Sequence, residues 1–254
     1  MKSILVATAL LITNLIYGQL HPSDTVAYGV QISFASDISI FPESWQVAPI
    51  NAVAESINPK EIARCKKIVV KALRKYTSPI LKKDLKTVYF IKTISFYDVP
   101  FGGTNSNDAL YLSNNGIERR YTDLYMEQNF HHEFSSILYR NHPELLDEKA
   151  WAKANVAGFD YSDPEAGVGA IRENKSSQEF DTALCRLGFL TQYSLSGMEN
   201  DINTFAQNLF SPSEGFWELV DQYPRIRQKF RVLLGFYNSL DPVFTENYFR
   251  KMAR

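Results

Sequence analysis

QNFHHEFSSILYRNHP (residues 128–143) is the stretch on which the reading of this chain turns. Phe130, Phe134, Ile137 and Leu138 recur at the spacing of one helical face, and Pro143 stops the run. The segment therefore predicts a helix from about Asp123 to Asn141. Inside it, His132 is followed at once by Glu133, and Ser136 stands one helical turn further on. Two histidines four apart on a helix face the same way and bind one zinc ion, with a glutamate beside the first as general base. Here the first histidine and the glutamate are present, and serine takes the place of the second histidine.

The flanking sequence builds an α+β protein around that helix. Residues 25–41 alternate apolar and polar side chains and read as strand or extended chain. NPKEIARCKKIVVKALRKYT (58–77) predicts a helix, with Asn58 as N-cap, Pro59 in the first turn and a stripe of Ile62, Ile68, Val69 and Leu73. Residues 85–99 are rich in β-branched and aromatic side chains and predict one strand; 100–108 predict a loop and 109–114 a second short strand. Residues 152–179, with Gly158, Pro164, Gly167 and Gly169, predict a long irregular excursion. A mainly helical C-terminal part follows, in which MENDINTFAQNLF (198–210) is a helix.

Composition bounds the function classes. The chain has 254 residues, 45% hydrophobic and 13% aromatic, enough for one sizeable core, so residues 19–254 are expected to form a single domain. A formal net charge of −1 argues against nucleic acid or an anionic membrane surface as partner. Residues 1–18 read as an export signal: Lys2 supplies the positive start, Ile4 to Tyr17 the apolar run, and Gly18 the small residue before cleavage. That run is shorter than the roughly 20 residues of a membrane span, and no cysteine follows it to carry a lipid. The expectation is an exported protein of the periplasm or the extracellular space, with no stable membrane insertion. Cys65 and Cys185 leave open one disulfide or two buried thiols.

The segment HHEFSSIL (131–138) resembles the HEFxHIL active helix of the zinc-binding metallopeptidases common in Bacteroidetes envelopes. GFLTQYSLSGMENDINTFAQNLF (188–210) is similar to that family's GF…YA…EDFAE region, and the similarity covers roughly residues 58–210. The resemblance implies a zincin-like core, in which a small sheet carries an active-site helix, and it implies zinc and a peptide or protein substrate. Position by position, His132 falls on the first zinc ligand, Glu133 on the general base and Ser136 on the second ligand. The third ligand, a glutamate in the family, falls on Asn200 or Asn203 depending on register, with Glu199 and Asp201 as the acids able to replace it. The resemblance further implies that the strand beside the active helix, including Ala109 and Tyr111, pairs with substrate, and that Gly103 lets the preceding loop approach it.

Two other histidines could add to the site: His142 follows His132 by ten residues, the interval at which metzincins place a third histidine, and His131 adjoins it, but helix geometry disfavours both. His131 points about 100° away from His132 on a helix, and His142 would be carried about 15 Å along the axis. No GxSxG, phosphate-loop or GxGxxG motif is present. Two functions follow from the sequence: a zinc peptidase using His132 and Glu133 with Glu199 or Asp201, or a non-catalytic envelope protein that binds peptide or protein on the same scaffold.

Overall fold

The computed structural model describes residues 21–161 and 166–252; the expected export signal lies outside the described residues. Strands β1 (Thr25–Ala27) and β2 (Val30–Ser33) form a hairpin whose turn residues, Tyr28 and Gly29, both take positive φ, the backbone that a two-residue hairpin turn requires. After β3 (Val53–Glu55), the Asn58 side chain accepts a hydrogen bond from the Lys60 N–H and starts the turn leading into α1 (Ile62–Leu73). Helix α2 (Ser78–Asp84) precedes strands β4 (Thr87–Ile91), β5 (Thr93–Phe96), β6 (Val99–Phe101), β7 (Gly103–Asn105) and β8 (Ala109–Ser113). The remaining elements are helices: α3 (Asp123–Asn141), α4 (Glu148–Lys153), α5 (Ala166–Arg172), α6 (Thr182–Leu187), α7 (Met198–Phe210), α8 (Phe216–Gln222), α9 (Pro224–Leu240) and α10 (Glu246–Met252).

Three sequence expectations change. The single strand over 85–99 is two strands in two different sheets, because the backbone changes partner at Lys92. Ile91 is still paired with Ser113 of β8, whereas the Lys92 N–H already donates to Glu55 O. The 100–108 loop contains β7, and the 152–179 excursion contains α5.

The main sheet has the order β1-β2-β4-β8-β7. Its three inner strands run parallel and both edge strands antiparallel. A second antiparallel sheet, β3-β5-β6, lies against its other face. Strand β8 is buried on both sides for this reason. Leu110 and Leu112 point into the main core with Phe130 and Phe134 of α3, while Ala109 and Tyr111 pack with Phe41 and Phe96 in the second core. A fully apolar ALYL run is what a doubly covered central strand demands. The main core runs from Val30 to Phe249 and includes residues of all the long helices. Cys65 and Cys185 are buried free thiols, and burial pushes the Cys65 thiol up to about 12. No helix among the described residues is long and apolar enough to cross a membrane.

Candidate functional site

Helix α3 spans the predicted residues, started by the Thr122 hydroxyl, which accepts from the Tyr125 N–H. It lies between the main sheet and α7 and is buried on almost every side from Met126 to Leu138. A helix buried all round must find partners for its polar side chains, since an unpaired buried polar group costs about 1–3 kcal/mol. Along one face of α3, at Gln128, His132, Ser136 and Arg140, helix α7 and the residue that follows it supply them. The two helices run antiparallel, so each turn forward on α3 meets a turn backward on α7.

The result is a ladder of polar rungs. Gln128 Nε2 donates to Ser211 O at 2.8 Å. His132 Nδ1 lies 2.8 Å from Gln207 Oε1. Asn203 Nδ2 donates to Ser136 Oγ at 2.6 Å. Arg140 Nη1 donates to Glu199 Oε1 at 3.0 Å and closes the ladder at the surface. Because a carbonyl oxygen faces His132 Nδ1, that nitrogen carries the proton and Nε2 keeps its lone pair.

Beside the ladder lies a cleft. A cavity of about 280 Å³ is lined by Gly103, Asn129, His132, Glu133, Tyr193 and Gln207 among others. A second, of about 470 Å³, shares His132, Glu133, Gly103 and Tyr193 and extends past Ser136 and Asn203 to Glu199. Glu133 is held at the cleft wall by Asn105, whose Nδ2 donates to Oε2 at 2.6 Å. Arg140 in turn donates to Asn105 Oδ1 and Ser106 O. Burial raises the Glu133 carboxyl to about 7, assisted by the nearby Glu199 charge. Burial also lowers His132 to about 4, so its imidazole is neutral at physiological pH.

That shift gives a pH prediction. The Glu133 carboxyl binds its proton more tightly when folded than unfolded, so its contribution to stability falls as pH rises from about 4.5 to about 7. Above that window the penalty is fully present. Glu133→Gln is expected to raise the unfolding free energy by up to about 3 kcal/mol near pH 8 and by little near pH 4.5. Urea titrations at both pH values measure it; equal differences at the two would mean the carboxyl is not desolvated.

The structure brings some of the predicted site residues together and separates others. His132, Glu133 and Gly103 line the cleft, and Glu199 stands at its rim in the ion pair with Arg140. Asp201 does not reach it: the carboxylate is fully buried on another side of α7, where Lys229 Nζ, Tyr161 OH and Trp151 Nε1 all donate to Oδ2. Two residues along a helix turn a side chain by about 200°, and that rotation separates Asp201 from Asn203. Ala109 and Tyr111 also do not reach the cleft. They belong to the second core, where Tyr111 stacks on Tyr89 at 5.1 Å and its hydroxyl donates to Ile40 O. The strand at the sheet edge beside the cleft is β7, not β8.

Of the two registers for the third ligand, the structure places Asn203 opposite Ser136, whereas Asn200 Nδ2 donates to Ser196 Oγ. His131 is fully buried against Tyr76 and Phe210, with Nδ1 3.0 Å from Tyr76 OH. His142 faces Asp84 with Nε2 3.2 Å from both carboxylate oxygens, tying the end of α3 to α2. Gln207, Asn105 and Tyr193 escaped the sequence reading. For Gln207 the signal was its spacing one turn after Asn203, repeating the spacing of His132 and Ser136.

The donor set can be tested against zinc. A zinc site requires at least three strong donors. Here His132 offers one nitrogen, Ser136 a neutral hydroxyl already accepting from Asn203, and Asn203 a neutral amide. No group of three His, Cys, Asp or Glu side chains among the described residues could hold a metal ion. These residues do not fit zinc. Without a metal, a water beside Glu133 keeps a pKa of about 15.7 and is a poor nucleophile.

No family model matches the chain, and no curated protein matches it. Among solved structures it is similar to one described as a "putative zinc-binding metallo-peptidase" from Bacteroides caccae, with 16% identity over 79% of this chain and 78% of that one, at a TM-score of 0.49. A likeness of that degree says nothing about site residues.

Proposed function

We propose that this chain is a non-hydrolytic peptide-binding protein built on a metallopeptidase-like scaffold, exported by residues 1–18 and acting on peptide or protein ligands outside the cytoplasm. One observation carries the reading: the positions that would ligate a metal are joined in pairs, His132 to Gln207 and Asn203 to Ser136, by hydrogen bonds between neutral groups. Such pairs stiffen the wall of a cleft; they do not activate water.

The peptide edge is β7. The Ser113 N–H donates to Gly102 O and the Ser106 N–H to Ala109 O, so the antiparallel alternation turns the backbone groups of Gly103 and Asn105 outward. An extended ligand adding there as a further strand would lie along the cleft, its side chains alternating between the cavity and solvent. Gly103 lets β7 lie close against α3 at the cleft wall. A β-carbon at that position would stand 2.7 Å from Asn129 Nδ2 and 3.1 Å from Glu133 Oε1.

The test is zinc content and binding measured on the same purified chain. Less than a tenth of an equivalent of zinc, no cleavage of unfolded casein peptides, and binding of those peptides are expected. Gly103→Val should weaken that binding by at least about tenfold, about 1.4 kcal/mol. Stoichiometric zinc in the wild-type chain, or peptide binding unchanged by Gly103→Val, would sink the proposal.

A further inference from the structure

Asp201 and Lys229 form a close ion pair on the side of α7 turned away from His132. Both side chains are completely buried, and Nζ lies 2.5 Å from Oδ2. Three donors converge on that one oxygen: Lys229 Nζ, the Tyr161 hydroxyl at 2.6 Å and Trp151 Nε1 at 3.0 Å. The other oxygen, Oδ1, is buried with no hydrogen-bond partner among the described residues. Around Nζ stand the rings of Phe189 at 4.2 Å, Trp151 at 5.2 Å and Tyr161 at 6.0 Å. A buried pair of this kind contributes little net stability, because desolvating the two charges offsets their attraction. An unpartnered carboxylate oxygen adds to that cost.

We propose that Asp201 and Lys229 form a self-processing site, at which the chain condenses the two side chains into an intramolecular amide and releases water. The Nζ–Cγ bond forms and the Cγ–Oδ2 bond breaks. Two of the three ammonium protons leave with Oδ2 as water, and the third stays as the amide N–H; no oxidant or other reactant is consumed. One proton passes directly from Nζ to the oxygen it already touches. The second passes through the Tyr161 hydroxyl, which lies 3.3 Å from Nζ and 2.6 Å from Oδ2. Trp151 Nε1 holds the departing oxygen. The oxygen left behind is Oδ1, whose missing partner costs less in a neutral amide than in a carboxylate. The remaining N–H faces an aromatic ring, a weak but adequate acceptor. Trp151 and Phe189, both completely buried, shield the product from water on their sides and slow hydrolysis back to the acid and amine.

The experiment is the intact mass of the purified full chain, followed by tryptic digestion. The wild-type chain is expected to be lighter than its sequence by one water and to yield a branched peptide joining the segments that carry Asp201 and Lys229. Lys229→Met and Tyr161→Phe are expected to keep the full mass and give no branched peptide. A folded wild-type chain at full mass, without the branched peptide, overturns the proposal. So does undiminished cross-linking in Tyr161→Phe, which would remove the relay. The decisive reading is made on the wild-type chain, so a Lys229→Met variant that fails to fold leaves the test intact.

Discussion

A chain carrying Ser136→His together with Asn203→Glu is expected to bind one zinc ion per molecule, and the wild-type chain is expected to bind none. The two positions already face each other across α3 and α7, bridged by a 2.6 Å hydrogen bond, and His132 lies one turn away on the same face of α3. The substitutions convert a hydroxyl and an amide into an imidazole and a carboxylate, giving three strong donors with one coordination position left for water. Space is available, because Ser136 and Asn203 line the larger cavity, not the packed core. The lost Asn203–Ser136 bond costs about 1 kcal/mol, small beside the roughly 8 kcal/mol of micromolar zinc affinity. Each single substitution leaves only two strong donors and is expected to bind at least a hundredfold more weakly. Zinc stoichiometry after dialysis, with a zinc-dependent rise in melting temperature, measures both claims. A folded double variant without zinc would show that the helices are set too far apart for a shared ion.

Phe210→Ala is expected to lower the unfolding free energy by about 3–5 kcal/mol. The ring is completely buried at the end of α7, where the α1–α2 connection, α3, α9 and α10 converge on it. It stacks on Tyr76 at 4.4 Å and His131 at 5.0 Å and meets Tyr237 and Phe249 edge-on at 5.0 Å each. Truncation leaves a void bounded by rings anchored in separate elements, so the site cannot collapse and the cavity cost stays with the variant. Leu187→Ala, at a position 39% exposed, is the control and should change stability by less than about 0.5 kcal/mol. Urea titration of both at neutral pH decides the matter; a loss below about 1 kcal/mol for Phe210→Ala would mean that the junction repacks.

The site divides unevenly between what sequence and structure disclose. Phe130, Phe134, Ile137 and Leu138 announced α3 and its buried face, because the same periodicity that makes a helix amphipathic also marks its residues in the sequence. His132 and Glu133 stood out through their adjacency, and the absence of a second ligand at Ser136 was equally plain. The break of 85–99 into β4 and β5 was hidden, since both halves carry the same strand-favouring residues and only the change of hydrogen-bond partner at Lys92 divides them.

The chain by itself determined an α+β protein with a helix bearing His132 and Glu133 and a serine where a second histidine would ligate zinc, since side-chain chemistry and local periodicity are written residue by residue; the want of a third ligand was implied by the family resemblance alone. Only the tertiary structure decided which acid faces which helix. It sent Asp201 inward to Lys229, 28 residues away, and set Asn203 and Gln207 against Ser136 and His132. It also gave the cleft its edge at β7 instead of β8. Those outcomes depend on how α7 is rotated and how the sheet is ordered, which packing over the whole core fixes and no local pattern encodes.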